Sequence, residues 1–265
     1  MPELIEVEAY RRLAESKAVG RKVLGVVAPD AWYLKRGLDE PTLTSALTGR
    51  RITDARRVGK LLLLDTDGPT LGLRFGMTGR LLVDDSPGVD RLLYSTNVAN
   101  PAHDRFALRL GRGGGAGSGW LVMRDPRRLG GVELQPDAGR LGPDAVGLRP
   151  KDLAAVLGRS TAPLKARLMD QSRLAGVGNL IADEALWRAG LDPARPAGGL
   201  TDAEVRRLAR ALDRTVSDLQ ARGGSHTGDL MAARAPGGVC PRDGTPLMRR
   251  QVGGRTTFSC PAHQR

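Results

Sequence analysis

Between residues 3 and 19 the apolar positions Leu4, Val7, Tyr10 and Leu13/Ala14 recur every three to four places, and this spacing predicts a helix that Gly20 stops. Pro2 stands at its N-terminal edge. From Lys22 to about Val132 the pattern changes to short apolar runs at 61–64, 71–75, 81–83, 106–110 and 120–123, separated by Gly, Asp and Pro clusters. That punctuation predicts antiparallel strands in a β-sandwich or barrel, with one short helix at 43–47. The glycine-rich stretch 111–119 is expected to be a hairpin turn.

After Leu141-Gly142-Pro143 the periodicity becomes helical and stays so to about Gly224, which marks a second domain. Its clearest element is 201–222: Thr201 and Glu204 form a capping box, Val205, Leu208, Leu212, Val216 and Leu219 make an apolar stripe, and Gly223-Gly224 closes the helix. The tail from about Met231 holds six arginines, one acid and both cysteines, and is too small to own a core.

Charge narrows the function. The 265 residues carry 41 Lys and Arg against 29 Asp and Glu, a net +12, which points to a polyanionic partner. Only six of the cations are lysines and 35 residues are glycine, a bias that a GC-rich genome also produces, so the charge by itself leaves a bland reading open. Nine aromatics are too few for an RNA-recognition module built on stacking rings. No apolar run is long enough to span a bilayer or serve as a secretory signal, so a cytoplasmic protein, nucleoid-associated through DNA and with no membrane partner, is expected. Two cysteines make no disulfide framework.

Those cysteines fall in a spacing with chemical meaning. Cys240-x2-Asp243 is followed, sixteen residues on, by Cys260-x2-His263, with Gly253-Gly254 at a central turn. Two close pairs on tight turns bring four donors to one tetrahedral point, the arrangement of a zinc ribbon, and Zn2+ accepts thiolate, imidazole and carboxylate. A ribbon that folds without metal is the alternative. At the other end of the chain, Pro2 would be a secondary amine once Met1 is removed. The positive end of a helix disfavours its ammonium form and leaves a nucleophile. Glu3 is placed to move the accompanying proton. Taken alone, Pro2 is simply a helix-starting proline. In LMDQSRLAGVGNLIADEALWRAGLDP, residues 168–193, Asn179 opens a helix after a glycine turn, as a phosphate clamp does.

Together with MPELIEVE at the start, VGKLLLLD around Lys60, RFGMTGRL around Met77, DPRRLGG from Asp125 and GRTTFSCPAHQ at the end, that string resembles the formamidopyrimidine-DNA glycosylase/endonuclease VIII family over nearly the full length. The resemblance implies an α+β multidomain fold: an N-terminal β-sandwich with the catalytic helix at 1–142, a helix-two-turn-helix DNA-binding domain at 143–232 and a zinc-ribbon β-hairpin at 233–265. It implies a bifunctional base-excision repair glycosylase and AP lyase acting on damaged DNA, with one structural Zn2+ on Cys240, Asp243, Cys260 and His263, and a monomer is expected. Pro2 resembles the nucleophile, Glu3 the general acid and Lys60 a phosphate-binding catalytic support. Asn179 and Arg255 resemble phosphate grips, and Met77 and Arg127 two of three side chains inserted into the stack when a nucleotide is flipped out. Outside the resemblance, Met77 is a core methionine and Lys60 and Arg127 are solvated charges.

The departures bear on substrate. Leu129 stands where many members carry a phenylalanine wedge, Ile5 replaces a second proline, Asp243 and His263 replace cysteines, and only fifteen residues separate Gly224 from Cys240, where the formamidopyrimidine branch holds its lesion-capping loop. Oxidised pyrimidines, ring-opened or bulky adducts, and single-stranded or abasic substrates are expected over 8-oxoguanine opposite cytosine. Two other readings share the fold or the charge: a zinc-ribbon DNA-binding or ribosome-associated protein, which leaves Pro2-Glu3 unexplained, and a catalytically weak damage reader.

Overall fold

A computed structural model describes residues 2–93, 100–111 and 117–265, in two units, Met1–Ala138 and Gly139–Arg265. The first opens with α1 (Leu4–Lys17), close to the predicted helix, and continues through β1 (Val23–Val27), α2 (Glu40–Leu47), β2 (Ile52–Val58), β3 (Leu61–Thr66), β4 (Leu71–Arg74), β5 (Arg80–Val83), β6 (Ser86–Pro87), β7 (Asp104–Gly111), β8 (Ser118–Arg124) and β9 (Gly131–Leu134). Every apolar run singled out above is a strand. They form two antiparallel sheets, ordered β1-β7-β8-β5-β6 and β2-β3-β4-β9. Gly111 pairs with Ser118, so the expected hairpin joins β7 and β8; its tip, residues 112–116, lies outside the described residues.

Val7, Tyr10 and Ala14 of α1 share one core with Leu62, Leu64 and Leu73 of one sheet and Leu81, Phe106, Leu108 and Leu121 of the other. Residues 61–64 are buried on both faces, which is why they read as an unbroken leucine run rather than an alternation. The ring centroids of Tyr10 and Phe75 lie 4.4 Å apart, so the side of α1 that meets the core is fixed by an aromatic contact.

The second unit holds α3 (Pro150–Leu157), α4 (Leu164–Met169), α5 (Asn179–Ala189) and α6 (Asp202–Ala221), then the hairpin β10 (Met248–Val252) and β11 (Arg255–Ser259). The capping box of Thr201 and Glu204 is formed, and Val205, Leu208, Leu212, Val216 and Leu219 are buried along α6. By contrast α5 is buried almost all round, from Leu180 to Trp187. The tail has no core of its own: Cys240 and Cys260 pack with Trp187 and Leu230, against partly buried Ala233 and Leu247.

Candidate active site, nucleic-acid contacts and metal centre

Pro2 is buried and Glu3 fully so, just ahead of α1. Glu3 takes an extended backbone as the N-cap, and its N–H donates to Oε2 of Glu6 at 2.8 Å in a capping box. Two carboxylates thus stand at the positive end of the helix, where the dipole favours them. Burial, and then the nearby Glu6 carboxylate, push the Tyr10 phenol far above its ordinary range. It therefore stays a donor, and it donates to the carbonyl of Gly79 at 3.2 Å, tying α1 to the turn after β4.

Lys60 sits half-buried in the two-residue turn between β2 and β3, where Val58 pairs with Leu61 and Gly59 takes φ +57°. Arg57 anchors this turn, donating to the Gly59 carbonyl at 2.9 Å and to Oε2 of Glu8 on α1 at 3.3 Å. The position of Lys60 relative to α1 is therefore set by a neighbouring ion pair.

Met77 is half-buried in the turn between β4 and β5, while Arg127 and Leu129 lie exposed in the loop after β8, with Leu129 50 % accessible. These two segments touch. A Cβ at Gly76, which has φ +56°, would lie 2.3 Å from the carbonyl carbon of Leu129, so glycine permits the approach. Asp125, fully buried, organises the junction: it accepts from Thr78 Oγ1 at 2.5 Å, from the Arg127 N–H at 3.3 Å and from the Gly130 N–H at 2.8 Å. The structure also separates the two adjacent arginines. Arg128, at φ +56°, donates twice to Asp30 at 2.6 Å and holds that carboxyl below the usual range, whereas the Arg127 side chain has no ion-pair partner among the described residues. Sequence reasoning did not single out Asp125, although it lies inside the DPRRLGG string that flagged the loop.

In the second unit Gln171 shapes the glycine turn before α5, donating to the carbonyls of Met169 at 2.7 Å and Val177 at 3.0 Å and accepting from the Gly176 N–H at 3.0 Å. Asn179 follows as the first residue of α5. Its Oδ1 is buried and has no hydrogen-bond partner among the described residues. Arg255 is exposed beside the hairpin tip, where Gly253 and Gly254 take φ +57° and +73° as a tight I′ turn requires. That tip rests on α4: a Cβ at Gly253 would lie 2.6 Å from Cβ of Ala166.

A buried ion pair fixes the hairpin to the helices. Lys165 of α4 and Asp183 of α5, both inaccessible to solvent, lie 2.6 Å apart, and Lys165 also donates to Oγ1 of Thr257 on β11 at 2.7 Å. Asp183 accepts in addition from Arg234 and from the Phe258 N–H. Removing either partner would leave an uncompensated buried charge, which costs far more than the pair contributes. Neither residue was legible as such, because a lysine on a helix ordinarily reads as a solvated charge.

The four residues of the ribbon spacing do converge. One donor atom each from Cys240, Asp243, Cys260 and His263 lies within 4.8 Å of all the others. His263 Nδ1 is 3.0 Å from Oδ2 of Asp243 and 3.7 Å from Sγ of Cys240, while its Nε2 is 3.2 Å from the Trp187 carbonyl. A proton on Nε2 satisfies that carbonyl and leaves the Nδ1 lone pair facing the other three donors, as a ligating histidine needs. Sγ of Cys240 accepts from the Trp187 indole N–H at 3.3 Å and from the Arg242 N–H at 3.4 Å, two bonds suited to a thiolate. The Thr245 N–H, and then His263, hold the Asp243 carboxyl well below the usual range. The donor set fits a metal ion.

The structure thus sets a buried acid beside Pro2, a cation on a neighbouring turn, side chains on a stapled loop pair and a donor cluster under a hairpin. The formamidopyrimidine-DNA glycosylase N-terminal domain matches residues 1–132, and its H2TH domain matches residues 141–229. Among curated proteins, formamidopyrimidine-DNA glycosylase of Thermus thermophilus is 37 % identical over all of this chain and 98 % of its own length, and that of Alkalilimnicola ehrlichii is 35 % identical over the whole of both. The Lactococcus lactis enzyme in complex with DNA containing Fapy-dG matches with a TM-score of 0.82 at 25 % identity, covering 99 % of this chain and 100 % of that one. The same enzyme bound non-covalently to DNA with an AP site matches with a TM-score of 0.82 at 26 % identity, over the whole of both chains. The chain belongs to the formamidopyrimidine-DNA glycosylase family, and is a base-excision repair glycosylase; AP lyase activity is a general property of that family. Among the described residues no helix is long and apolar enough to cross a membrane.

Proposed function

We propose that the catalytic step is carried by Pro2, Glu3 and Lys60. With Met1 removed, the Pro2 nitrogen attacks C1′ of a damaged nucleotide, the N-glycosidic bond breaks and the base leaves with a proton for which Glu3 is the donor. The amine's own proton passes to O4′ as the C1′–O4′ bond opens, which leaves an iminium at C1′; the iminium acidifies C2′, loss of that proton expels the 3′ phosphate, and a second elimination, with loss of the C4′ proton, expels the 5′ phosphate. Lys60 holds a backbone phosphate beside this centre. The single observation that carries the reading is the complete burial of Glu3 at the start of α1, directly beside Pro2. A buried carboxyl adjoining Pro2 suits proton transfer to the leaving base, whereas a helix-starting proline by itself has no need of one.

Met77, Arg127 and Leu129 fill the gap left by the extruded nucleotide, and Asn179 and Arg255 grip phosphates. The ion held by Cys240, Asp243, Cys260 and His263 is a structural Zn2+ that fixes the hairpin presenting Arg255. The protein acts on damaged DNA as a monomer in the cytoplasm, on the nucleoid, and is organised as a catalytic sandwich at 1–142, a DNA-binding helical domain at 143–232 and a ribbon at 233–265. Borohydride trapping tests the core of this reading. A reduced adduct on abasic and damaged duplexes that disappears when the N-terminus is blocked supports it; an adduct of equal yield with the terminus blocked moves the nucleophile elsewhere. Binding without any adduct or excision makes the chain a damage reader.

A further inference from the structure

The second unit carries a cleft of about 570 Å³ between α6 and the C-terminal end of α5, lined by six arginines and two aspartates. Part of that charge is already used. Arg188 pairs with Glu184, Asp218 and Asp229 at 2.6–2.9 Å, and Arg222 pairs with Asp229 at 2.6 Å. Arg207 and Arg242 donate to the carbonyls of Ala189 and Arg188 at the end of α5, which satisfies those oxygens and neutralises no charge. Arg242 also lies over the Trp187 ring at 5.0 Å, so its guanidinium plane is held in place. Arg210 and Arg214 are exposed and have no ion-pair partner among the described residues. Four guanidinium groups in one concave wall therefore lack a carboxylate partner, and the net positive charge of that wall favours an anion.

Their geometry gives the anion a shape. Arg207, Arg210 and Arg214 follow one another at i, i+3 and i+7 on one face of α6, a row of about 10 Å. A row of that length is enough to meet more than one backbone phosphate of a strand. Planar guanidinium forks suit phosphate oxygens better than point charges do.

The cleft lies at the far end of the unit from the residues assigned to the first duplex. Asp183 of α5 accepts from the Phe258 N–H of β11, and Trp187 of α5 accepts from His263 beyond it, so the two elements run side by side in the same sense. Asn179 and Arg255 stand at their leading ends; Trp187 and Arg188 lie about 12 Å further along α5, beside the cleft.

We propose that this cleft is a second nucleic-acid site, taking backbone phosphates of a DNA segment other than the one under repair. It is second to the duplex that, on the proposed function, Asn179 and Arg255 hold. A protein able to hold two segments passes between them without full release.

The test uses the full-length, metal-loaded protein saturated with a donor-labelled duplex carrying a stable abasic analogue, to which an acceptor-labelled undamaged duplex is added. Energy transfer reports a ternary complex. The double variant R210E/R214E is expected to weaken capture of the undamaged duplex tenfold or more while changing affinity for the abasic duplex less than twofold; R210Q/R214Q gives an intermediate loss. R255A has the converse effect, so the two assignments fail on separate readouts. Absence of a ternary complex, a ternary complex indifferent to R210E/R214E, or equal loss of both duplexes would each overturn the proposal. So would poly-glutamate displacing the undamaged duplex as effectively as unlabelled DNA, since the cleft would then recognise an acidic polypeptide.

Discussion

Thr78 donates its hydroxyl to Asp125 across 2.5 Å and accepts from the Arg127 N–H at 3.4 Å, which joins the turn bearing Met77 to the loop bearing Arg127 and Leu129. The carboxylate is fully buried and also accepts from the N–H groups of Arg127 and Gly130. If Met77, Arg127 and Leu129 enter a base stack together, as proposed, they need a fixed spacing, and a rigid acceptor between their backbones supplies it. Asp125→Ala strands a hydroxyl and two N–H groups. It should destabilise the protein by about 2–4 kcal/mol in urea denaturation and slow excision more than it weakens undamaged-duplex binding. Thr78→Val should show the same kinetic signature with a smaller loss of about 1–2 kcal/mol. Excision unchanged in both variants would show that the staple is structural only.

Metal removal gives the second expectation. Purified protein should contain about one zinc per chain, and chelation should release the ribbon from Trp187, against which Cys240 and Cys260 pack. Trp187 is one of three tryptophans, and Trp32 and Trp120 are exposed, so a red-shifted emission on chelation reports this residue. His263→Ala should lose the metal, whereas Asp243→Cys should hold it more tightly by replacing the weakest ligand with a thiolate. Metal-free protein with unaltered emission and full DNA affinity would contradict the assignment.

What the sequence disclosed followed the physics of local signals. The stripe of α6, its capping box and the strand runs are encoded by neighbours within a few positions, and each formed as expected. The convergence of Cys240, Asp243, Cys260 and His263 was legible because two tight turns fix each pair locally. Lys165 with Asp183, and Asp125 with Thr78, were not, because burial of a charge depends on partners that arrive from other elements. The same holds for choosing between Arg127 and Arg128: only the fold brings Asp30 to the second of them.

Acid should weaken α6 in a defined window. Arg195, donating at 2.6 and 2.9 Å, and then the Thr201 N–H lower the Glu204 carboxyl from 4.5 to about 2. A carboxyl that binds its proton less readily when folded adds stability that is fully present above pH 4.5 and is lost as pH falls toward about 2. The group is near the surface, so salt and water keep the effect modest. Glu204→Gln should lower the melting temperature near pH 7 and converge with the wild type near pH 2, as thermal melts would read; a constant offset across the window would assign the loss to packing.

Salt should govern DNA affinity. Arg255 stands exposed at a hairpin whose tip rests on α4, a rigid mount for a phosphate contact. Arg255→Ala should weaken binding to all duplexes alike and reduce the slope of log affinity against log salt by about one. An effect confined to one lesion would mean that the side chain meets a base instead.

Substrate range turns on two further features of this chain. Leu129, half exposed on the stapled loop, offers less stacking area than an aromatic ring, so the cavity left by an extruded nucleotide is filled less completely and discrimination of the opposite base loosens. The stretch 225–239 is short, and much of it is tied down: the N–H groups of Asp229 and Leu230 donate to Glu184 at 3.1 and 3.0 Å, Leu230 is buried, and Arg234 pairs with Asp183. Chain that anchors the ribbon in this way has little length left to fold over an extruded base. Oxidised pyrimidines, bulky or ring-opened adducts and abasic sites should therefore be processed at least as fast as 8-oxoguanine opposite cytosine, and Leu129→Phe should raise the preference for cytosine opposite the lesion severalfold. Single-turnover excision on a matched panel of duplexes decides it. If 8-oxoguanine opposite cytosine is removed fastest by a wide margin and Leu129→Phe changes nothing, neither the leucine nor the short tether sets specificity, and cover for the base comes from elsewhere in the chain.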